Sequence, residues 1–542
     1  MATNNLRDFT MQNNIYKEKM SPYVTNNKYN SLAELIWVKM KNNGNQIAHL
    51  DACTEKVVTY TELQDKVVRC ALWLRKQGIK PGDVVSVCTH SHLNSIVPCL
   101  AAIYINAIFN PWDDSMDLQT ALHFMQLTTP KVIFCNEKVV NVILKATKEN
   151  CFNPNIVVFG DHPDAIAFSD ILSMYSDAEA ANFQFFEPDN IKQTVCIIHT
   201  SGSTGMPKGV ELSNYALLIT SENRIMNVTN TVWLWFISLH FIGGIVMNLK
   251  SIVQGVKVII YPEFEEEMTC KLIKKYEVEI LYITVSMLNR FLKADYIRNY
   301  PLSSLEVIIN SGAILQPQVH EKLRRTLPNV LILQSYGMTE ICGSGTLQLP
   351  NHKAGSCGTV IGYVEMKIVD PEDGKVLSPN NQGELWIKTP TMMTCYYKNP
   401  KATKTIIDEK GWLHSSDIGY FDEDGELFIV DRMGEFIKYK GYQISPGEIE
   451  GILVTHPAVI EAAVVGVPHP VDGEHPVGFV TKIPDKKVTA QELIEFVLNN
   501  IKDQYKLLAE VIFLDAFPYI GLKIAKTELK KKARNLAIEY KN

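Results

Sequence analysis

The chain has 542 residues, too many for one hydrophobic core, so about two to four domains are expected. With 46% hydrophobic and 21% charged residues it has the composition of a soluble globular protein rather than a disordered or fibrous one. A net charge of −6 argues against a nucleic-acid binder, which carries a basic face.

Eleven cysteines, with no pair at C-x-x-C spacing, exclude a disulfide framework and the usual cysteine-built structural zinc site. A reducing compartment is expected. The first fourteen residues are polar and have no apolar stretch, so no secretory signal is expected. The longest apolar runs, 101–108 and 234–247, are broken by polar residues and glycines, so no bilayer span is expected. The last four residues, Glu539-Tyr540-Lys541-Asn542, are not an S-K-L type address, which leaves the cytoplasm as the expected location.

In chain order, Asp83–Cys88 and Lys131–Cys135 read as short buried strands, with a helix over His92–Ile108 between them. Cys196–Ile198 reads as a strand that runs into a glycine-rich loop. Val256–Tyr261, Val278–Ile283 and Leu305–Ile309 continue the strand series, and helical patterns at Met268–Tyr276 and Pro317–Leu327 separate them. Strands alternating with helices predict parallel α/β sheets. From about Gly355 the texture changes to short strands (Val364–Val369, Gly383–Thr389, Gly425–Val430) separated by turn sequences such as Asp422-Glu423-Asp424-Gly425. Beyond Asp431–Gly434 a compact α+β region is expected, with helices over Pro446–Leu453 and Ala490–Ile501, a strand over Ala462–Val467, and a lysine-rich helix after Ile524.

The sharpest local pattern is Thr200-Ser201-Gly202-Ser203-Thr204-Gly205-Met206-Pro207-Lys208-Gly209. Glycines let main-chain N–H groups face an anion, hydroxyls add donors, and Lys208 adds a charge. That suits a polyphosphate, although the order is not that of a Walker A loop. Further on, Tyr336-Gly337-Met338-Thr339-Glu340 combines a ring that can stack on a base, a hydroxyl for a phosphate oxygen and a carboxylate for Mg²⁺. Asp417 follows a hydroxyl-rich turn, where a carboxylate can accept two ribose hydroxyls.

With this loop and these ordered landmarks, together with Thr59–Leu63, Gly383-Glu384-Leu385, Gly411–Asp417, Val430-Asp431-Arg432 and Ile437–Gln443, the chain resembles the adenylate-forming superfamily. That superfamily holds acyl-CoA synthetases, 4-coumarate–CoA ligases and beetle luciferases. The resemblance runs from about Thr59 to Leu529. It implies an α/β fold. It implies that a large N-terminal domain (1–431), of two α/β subdomains plus a β-barrel-like subdomain, precedes a small mobile α+β C-terminal domain (432–542). It implies ATP, Mg²⁺ and CoA as cofactors and a small-molecule carboxylic acid as substrate. The acid would be activated to an acyl-adenylate with release of pyrophosphate and then passed to CoA.

Site residues carry over position by position. The resemblance implies phosphate contacts from Thr200, Ser201, Gly202, Ser203, Thr204, Gly205 and Lys208. It places Ser311, Gly312 and Ala313 against adenine, where Ser311 replaces a glycine and Ile314 a proline. Tyr336 and Gly337 would hold the base, Thr339 a phosphate oxygen and Glu340 the Mg²⁺. Asp417 and Arg432 would hold ribose or phosphate. Lys438, Lys440 and Gly441 would belong to the loop that swings in for the thioester step, with Gly434 near the pivot. His240 would stand at the mouth of the acyl pocket. Ile283-Thr284-Val285, Gly312 and Ile341-Cys342-Gly343 are expected to form an apolar tunnel suited to a medium- or long-chain fatty or aryl acid.

The superfamily's adenylation lysine lies in a P-K-x-x-x-G-K loop. Here Lys523-Ile524 fits that register although Tyr519 and Leu522 depart from it, and Lys526 is the alternative. Three readings stay open: an insect luciferase-like fatty acyl-CoA synthetase, a luciferase, and a catalytically weakened nucleotide or acyl binder.

Overall fold

The computed structural model describes residues 9–12, 14–18, 28–200, 206–223, 231–294, 296–440, 442–469, 471–484, 486–501, 510–520 and 523–539. Ser201 to Gly205, Gly441 and Leu522 lie outside the described residues, as does the Lys523 side chain.

Two sheets form the large domain's α/β part. The first has seven strands, with Thr194–Thr200, Ile108–Trp112, Val84–Cys88, Val132–Cys135, Asn155–Val158 and Ile166–Ala167 in parallel succession. Lys208–Ser213 closes one edge antiparallel to Thr194–Thr200. The second has nine strands. Its parallel centre runs Leu331–Met338, Val307–Ser311, Ile280–Thr284, Val232–Trp235, Lys257–Ile260 and Ile47–Asp51, with antiparallel strands at both edges. The central strands are apolar on both faces because helices cover both, as parallel sheets require.

The helix expected over His92–Ile108 is shorter, Val97–Tyr104. Asn106 adopts a left-handed conformation (φ 56°) that ends the helical run, and Ile108 already opens the next strand. All eight helical residues are buried, so the continuous apolar stretch gave no periodic mark of where the helix stops.

The β-rich subdomain is a six-stranded antiparallel sheet built from Glu365–Val369, Gly383–Lys388, Leu413–Phe421 and Leu427–Arg432. Two strands from the start of the chain, Phe9–Gln12 and Ile15–Glu18, complete it. Asp431 and Arg432 still pair with Ile418 and Asp417 in this sheet. The small domain's sheet begins at Ile437–Tyr439 and includes Tyr442–Ile444, Val459–His469, Gly473–Lys482 and Glu510–Leu514, with helices Pro446–Thr455, Ala490–Asn500 and Lys526–Glu539.

The small domain docks on the helix Val285–Lys293. Lys293 Nζ donates to the carbonyl of Val454 at 2.6 Å and also to that of Val459. Burial among these carbonyls, with Lys322 nearby, pulls the Lys293 ammonium down to about 7. Asp431 Oδ2 accepts from Ser445 Oγ at 2.5 Å and from the Gly447 amide at 3.1 Å, fixing the start of the small domain's first helix.

No helix among the described residues is long and apolar enough to cross a membrane. All 11 cysteines are free thiols, and only Cys53 and Cys151 are exposed.

Candidate active site

In open α/β sheets ligands bind beyond the carboxyl ends of the parallel strands. The nine-stranded sheet brings Ser311–Ala313, Tyr336–Glu340 and the His240 segment, which follows Val232–Trp235, to that edge. The seven-stranded sheet brings Thr200 and Asp113 to its corresponding edge.

One cluster centres on Asp417, which is 6% exposed. Its Oδ2 accepts the Tyr336 hydroxyl at 2.6 Å and its Oδ1 accepts Arg432 Nε at 3.1 Å. Arg432 reaches it as its direct cross-strand partner, an opposite-charge pair set by register. Burial first, and Asp417 second, push the Tyr336 phenol well above its ordinary value, so it stays a proton donor.

A second cluster centres on Glu340, 8% exposed. Tyr396 donates its hydroxyl to Glu340 Oε1 at 2.8 Å, and Lys208 Nζ lies 4.9 Å from the centre of the Tyr396 ring. The other oxygen of Glu340 accepts no hydrogen bond among the described residues. Thr339 opens a short 3₁₀ turn, Thr339–Ile341, that is not capped by a side chain, so Thr339 and Glu340 are not serving as a helix cap. Gly337 is needed at this corner: a Cβ there would stand 2.1 Å from the Gly343 carbonyl oxygen.

The phosphate-loop residues Ser201–Gly205 lie outside the described residues, but their frame is clear. Thr200 pairs with Lys208 in antiparallel register, so Lys208 stands beside the carboxyl end of the Thr194–Thr200 strand.

Sequence reasoning missed Tyr396. It lies in an irregular segment whose backbone bonds to the Lys208–Ser213 strand through Thr394, Cys395 and Tyr397, and it is 56 residues from Glu340. Nothing in its local pattern marks that meeting.

The acyl-pocket expectation is partly corrected. Side chains alternate across the strand Ile280–Thr284. Ile283 therefore packs into the core on one face, whereas Ile341 and Cys342 belong to the core on the other. They do not line one tunnel. Facing the opposite way from Ile283 is Tyr282, whose hydroxyl shares a 2.7 Å hydrogen bond with Ser311 Oγ and comes within 3.6 Å of where a Gly243 Cβ would lie. Gly312 has φ 88° and open space where a Cβ would project, so the backbone is bare at the cleft.

His240 is partly buried; both ring nitrogens are shielded from solvent and lack hydrogen-bond partners among the described residues, and Nε2 lies 3.8 Å from Asp113 Oδ2. Burial lowers its pKa against the pull of Asp113 and Asp114, so the ring is neutral at neutral pH. Asp113 was also missed; the signal available was an acid at the carboxyl end of an apolar strand.

The C-terminal residues divide. Lys523 starts the second strand of a small hairpin, Tyr519–Ile520 with Lys523–Ile524. Tyr519 donates to Glu461, a residue that also accepts from Ser286 at the start of the docking helix. The Lys523 hairpin therefore abuts the large domain just beyond Thr284, which pairs with Ser311. Lys526 is instead tied to Glu450 at 2.7 Å. Lys438 and Lys440 bond within the small domain, to Glu474 and Asp472 through their amides, and make no hydrogen bond or ion pair with the Tyr336–Glu340 segment among the described residues.

Comparison with known proteins agrees with this architecture. The family model described as AMP-binding enzyme matches residues 37–397, and that of the AMP-binding enzyme C-terminal domain matches 448–521. This chain belongs to that family, the adenylate-forming enzymes. Among curated relatives, the luciferin 4-monooxygenase of Photinus pyralis is 32% identical over 487 residues, covering 87% of this chain and 88% of that protein. The 4-coumarate–CoA ligase 4 of Arabidopsis thaliana is 30% identical over 509 residues, covering 90% and 88%. The crystal structure of the anthranilate CoA ligase AuaEII in complex with anthranoyl-AMP superposes with a TM-score of 0.86 at 18% identity, over 94% of this chain and 98% of that one. It shares the large and small domain of the same fold.

Proposed function

We propose that the protein activates a carboxylic acid with ATP and transfers the acyl group to CoA. The observation that carries this reading is the pair of adjoining clusters, Tyr336–Asp417–Arg432 and Lys208–Tyr396–Glu340, at the carboxyl edge of the nine-stranded sheet. The first has a ring for adenine and an oriented buried carboxylate for ribose hydroxyls. The second has a cation and hydroxyls for phosphates. Relatives named as 4-coumarate–CoA ligases support the thioester product.

Mg²⁺ fits Glu340, whose second oxygen is open, and when bound there it would neutralise phosphate charge. Lys208 would draw the β- and γ-phosphates to the start of the Lys208–Ser213 strand. The acid's carboxylate oxygen would attack the α-phosphorus, the bond to the β-phosphate would break, and pyrophosphate would leave. A lysine aimed at that phosphate stabilises the developing charge. We assign this role to Lys523, because Tyr519 of its hairpin meets Glu461 and Ser286 beside the strand end at Thr284. In the second step the CoA thiolate attacks the acyl carbon and AMP leaves. We assign that step to the face bearing Lys438, Lys440 and Gly441, which would have to rotate inward about the 432–434 segment; the domain boundary is accordingly proposed at 431/432.

His240 is proposed to border the acid. It is neutral, and its unpartnered nitrogens can bond a substrate oxygen without adding a charge. The hydroxyl pair Tyr282–Ser311 places polar groups beside the largely apolar tunnel, which, of the fatty and aryl acids expected, favours an aryl acid with a hydrogen-bonding substituent. A second reading, a luciferase, is supported by the relatives named luciferin 4-monooxygenase.

The test is incubation with ATP, Mg²⁺ and a panel of fatty and hydroxycinnamic acids, with and without CoA, and with luciferin. Pyrophosphate and a CoA thioester support the ligase. Photons support the luciferase. Failure to release pyrophosphate with any acid overturns both.

A further inference from the structure

The tip of the hairpin formed by Val459–His469 and Gly473–Lys482 carries three metal-ligating side chains that the chemistry above does not use. His475 Nε2 lies 2.8 Å from Asp472 Oδ2, and His469 Nδ1 lies 3.5 Å from the same oxygen. The two imidazoles stack with centroids 4.0 Å apart and an interplanar angle of 14°. One donor atom from each residue falls within 4.8 Å of the others.

We propose that His469, Asp472 and His475 form a binding site for one divalent transition-metal ion of the zinc class on the small domain. Ligand atoms at about 2.1 Å from a tetrahedral ion stand about 3.4 Å apart. The His469–Asp472 spacing already matches that edge, and His475 needs to retreat by only about half an ångström to match it too. Two imidazoles and one carboxylate suit Zn²⁺, Co²⁺ or Ni²⁺, whereas Mg²⁺ and Ca²⁺ take oxygen ligands. The side chains are 38%, 19% and 29% exposed for His469, Asp472 and His475, so an ion can enter from solvent and keep water in its remaining positions.

The turn is held in place before any ion arrives. The Lys440 amide donates to the Asp472 carbonyl at 2.7 Å, and Tyr439 pairs with Gly473 and meets the His475 ring edge-on at 5.3 Å. Gly473 has φ 87°, and a Cβ there would stand 2.5 Å from the Lys438 carbonyl oxygen. The Asp472 amide donates to His469 Nδ1 at 3.1 Å, which turns that nitrogen toward Asp472; an ion bound at Nδ1 has to displace this hydrogen bond. Lys440 also brings a positive charge close by, which limits the affinity.

The probes are Zn²⁺ and Co²⁺ alone, added to the reduced full-length protein without ATP or acid, so the result stands apart from the ligase reading. One Co²⁺ is expected per chain, with no sulfur-to-cobalt charge-transfer band. His469→Ala, His475→Ala and Asp472→Asn should each weaken binding at least about 10-fold, since even outer-shell partners of a metal contribute about 10- to 100-fold. Zn²⁺ should slow amide exchange in peptides covering 469–475 and the paired 437–440 strand of the wild type, but not in His475→Ala. Equal affinity in all three variants overturns the proposal. So does a sulfur charge-transfer band, which would place the ion on cysteines, or slowed exchange confined to other parts of the chain.

Discussion

Tyr336→Phe isolates one hydrogen bond in the proposed nucleotide site. The ring that would stack on adenine stays, and only the hydroxyl that donates to Asp417 Oδ2 at 2.6 Å is lost. Hydrogen bonds to charged groups contribute about 1.5–3 kcal/mol, and a buried carboxylate left short of a donor costs at least as much. Asp417 keeps Arg432 Nε at 3.1 Å, which points to the lower end, about 1.5 kcal/mol, or about a tenfold change. Because the carboxylate would no longer be oriented toward the ribose, the loss should fall on ATP. Pyrophosphate release measured against ATP concentration should show KM for ATP raised about 10-fold, with kcat within about threefold and KM for the acid unchanged. Asp417→Asn should cost more, and the double variant should show non-additivity, because the two groups share one interaction. If Tyr336→Phe and Asp417→Asn both leave KM for ATP at the wild-type value, Asp417 is not a ribose ligand and the site is misassigned.

Docking of the small domain should depend on pH through Lys293. Its pKa falls from an ordinary 10.5 to about 7 when buried, so the undocked state holds the extra proton between those values. Docking therefore strengthens as pH rises from about 7 toward 10.5, by up to about 1.4 kcal/mol per unit, and is constant below about 7. Limited proteolysis of the 433–436 connection should slow with rising pH in the wild type and show no such slope in Lys293→Met; a flat wild-type profile would refute this. Lys523→Ala should abolish pyrophosphate release without lowering Tm. Lys526→Ala should lower Tm, by leaving Glu450 with the Val464 amide but no cation, and keep pyrophosphate release; the reverse pattern would move the adenylation role to Lys526. Gly337→Ala should destabilise by about 1–3 kcal/mol in chemical denaturation, because its Cβ meets the Gly343 carbonyl oxygen at 2.1 Å. Wild-type stability in that variant would show that the corner relaxes freely.

The sequence by itself determined the family, the alternation of strands and helices, and the identity of Lys208, Tyr336, Thr339, Glu340, Asp417 and Arg432 as candidates. Each of these lies in an ordered local motif, and a motif is a property of neighbours along the chain. Most of the strands read from local signals lie within a residue or two of those observed, because a buried strand is a short apolar run bounded by turn residues; others, such as Ile108–Trp112, Val232–Trp235 and Leu331–Met338, were not read.

What only the tertiary structure decided are the meetings between distant segments. The Tyr396 hydroxyl reaches Glu340 from an irregular stretch with no pattern of its own. Tyr282, not Ile283, turns toward Ser311, because the phase of a strand's alternation is fixed by which face the cores bury, and an all-apolar strand carries no mark of that phase. The N-terminal strands Phe9–Gln12 and Ile15–Glu18 join a sheet otherwise made from residues 365–432, a pairing no local window contains. The choice between Lys523 and Lys526 was open in a lysine-rich segment. Ion pairing decided where Lys526 goes, because a lysine beside a partly buried carboxylate is held there by a charge 76 positions away in the chain.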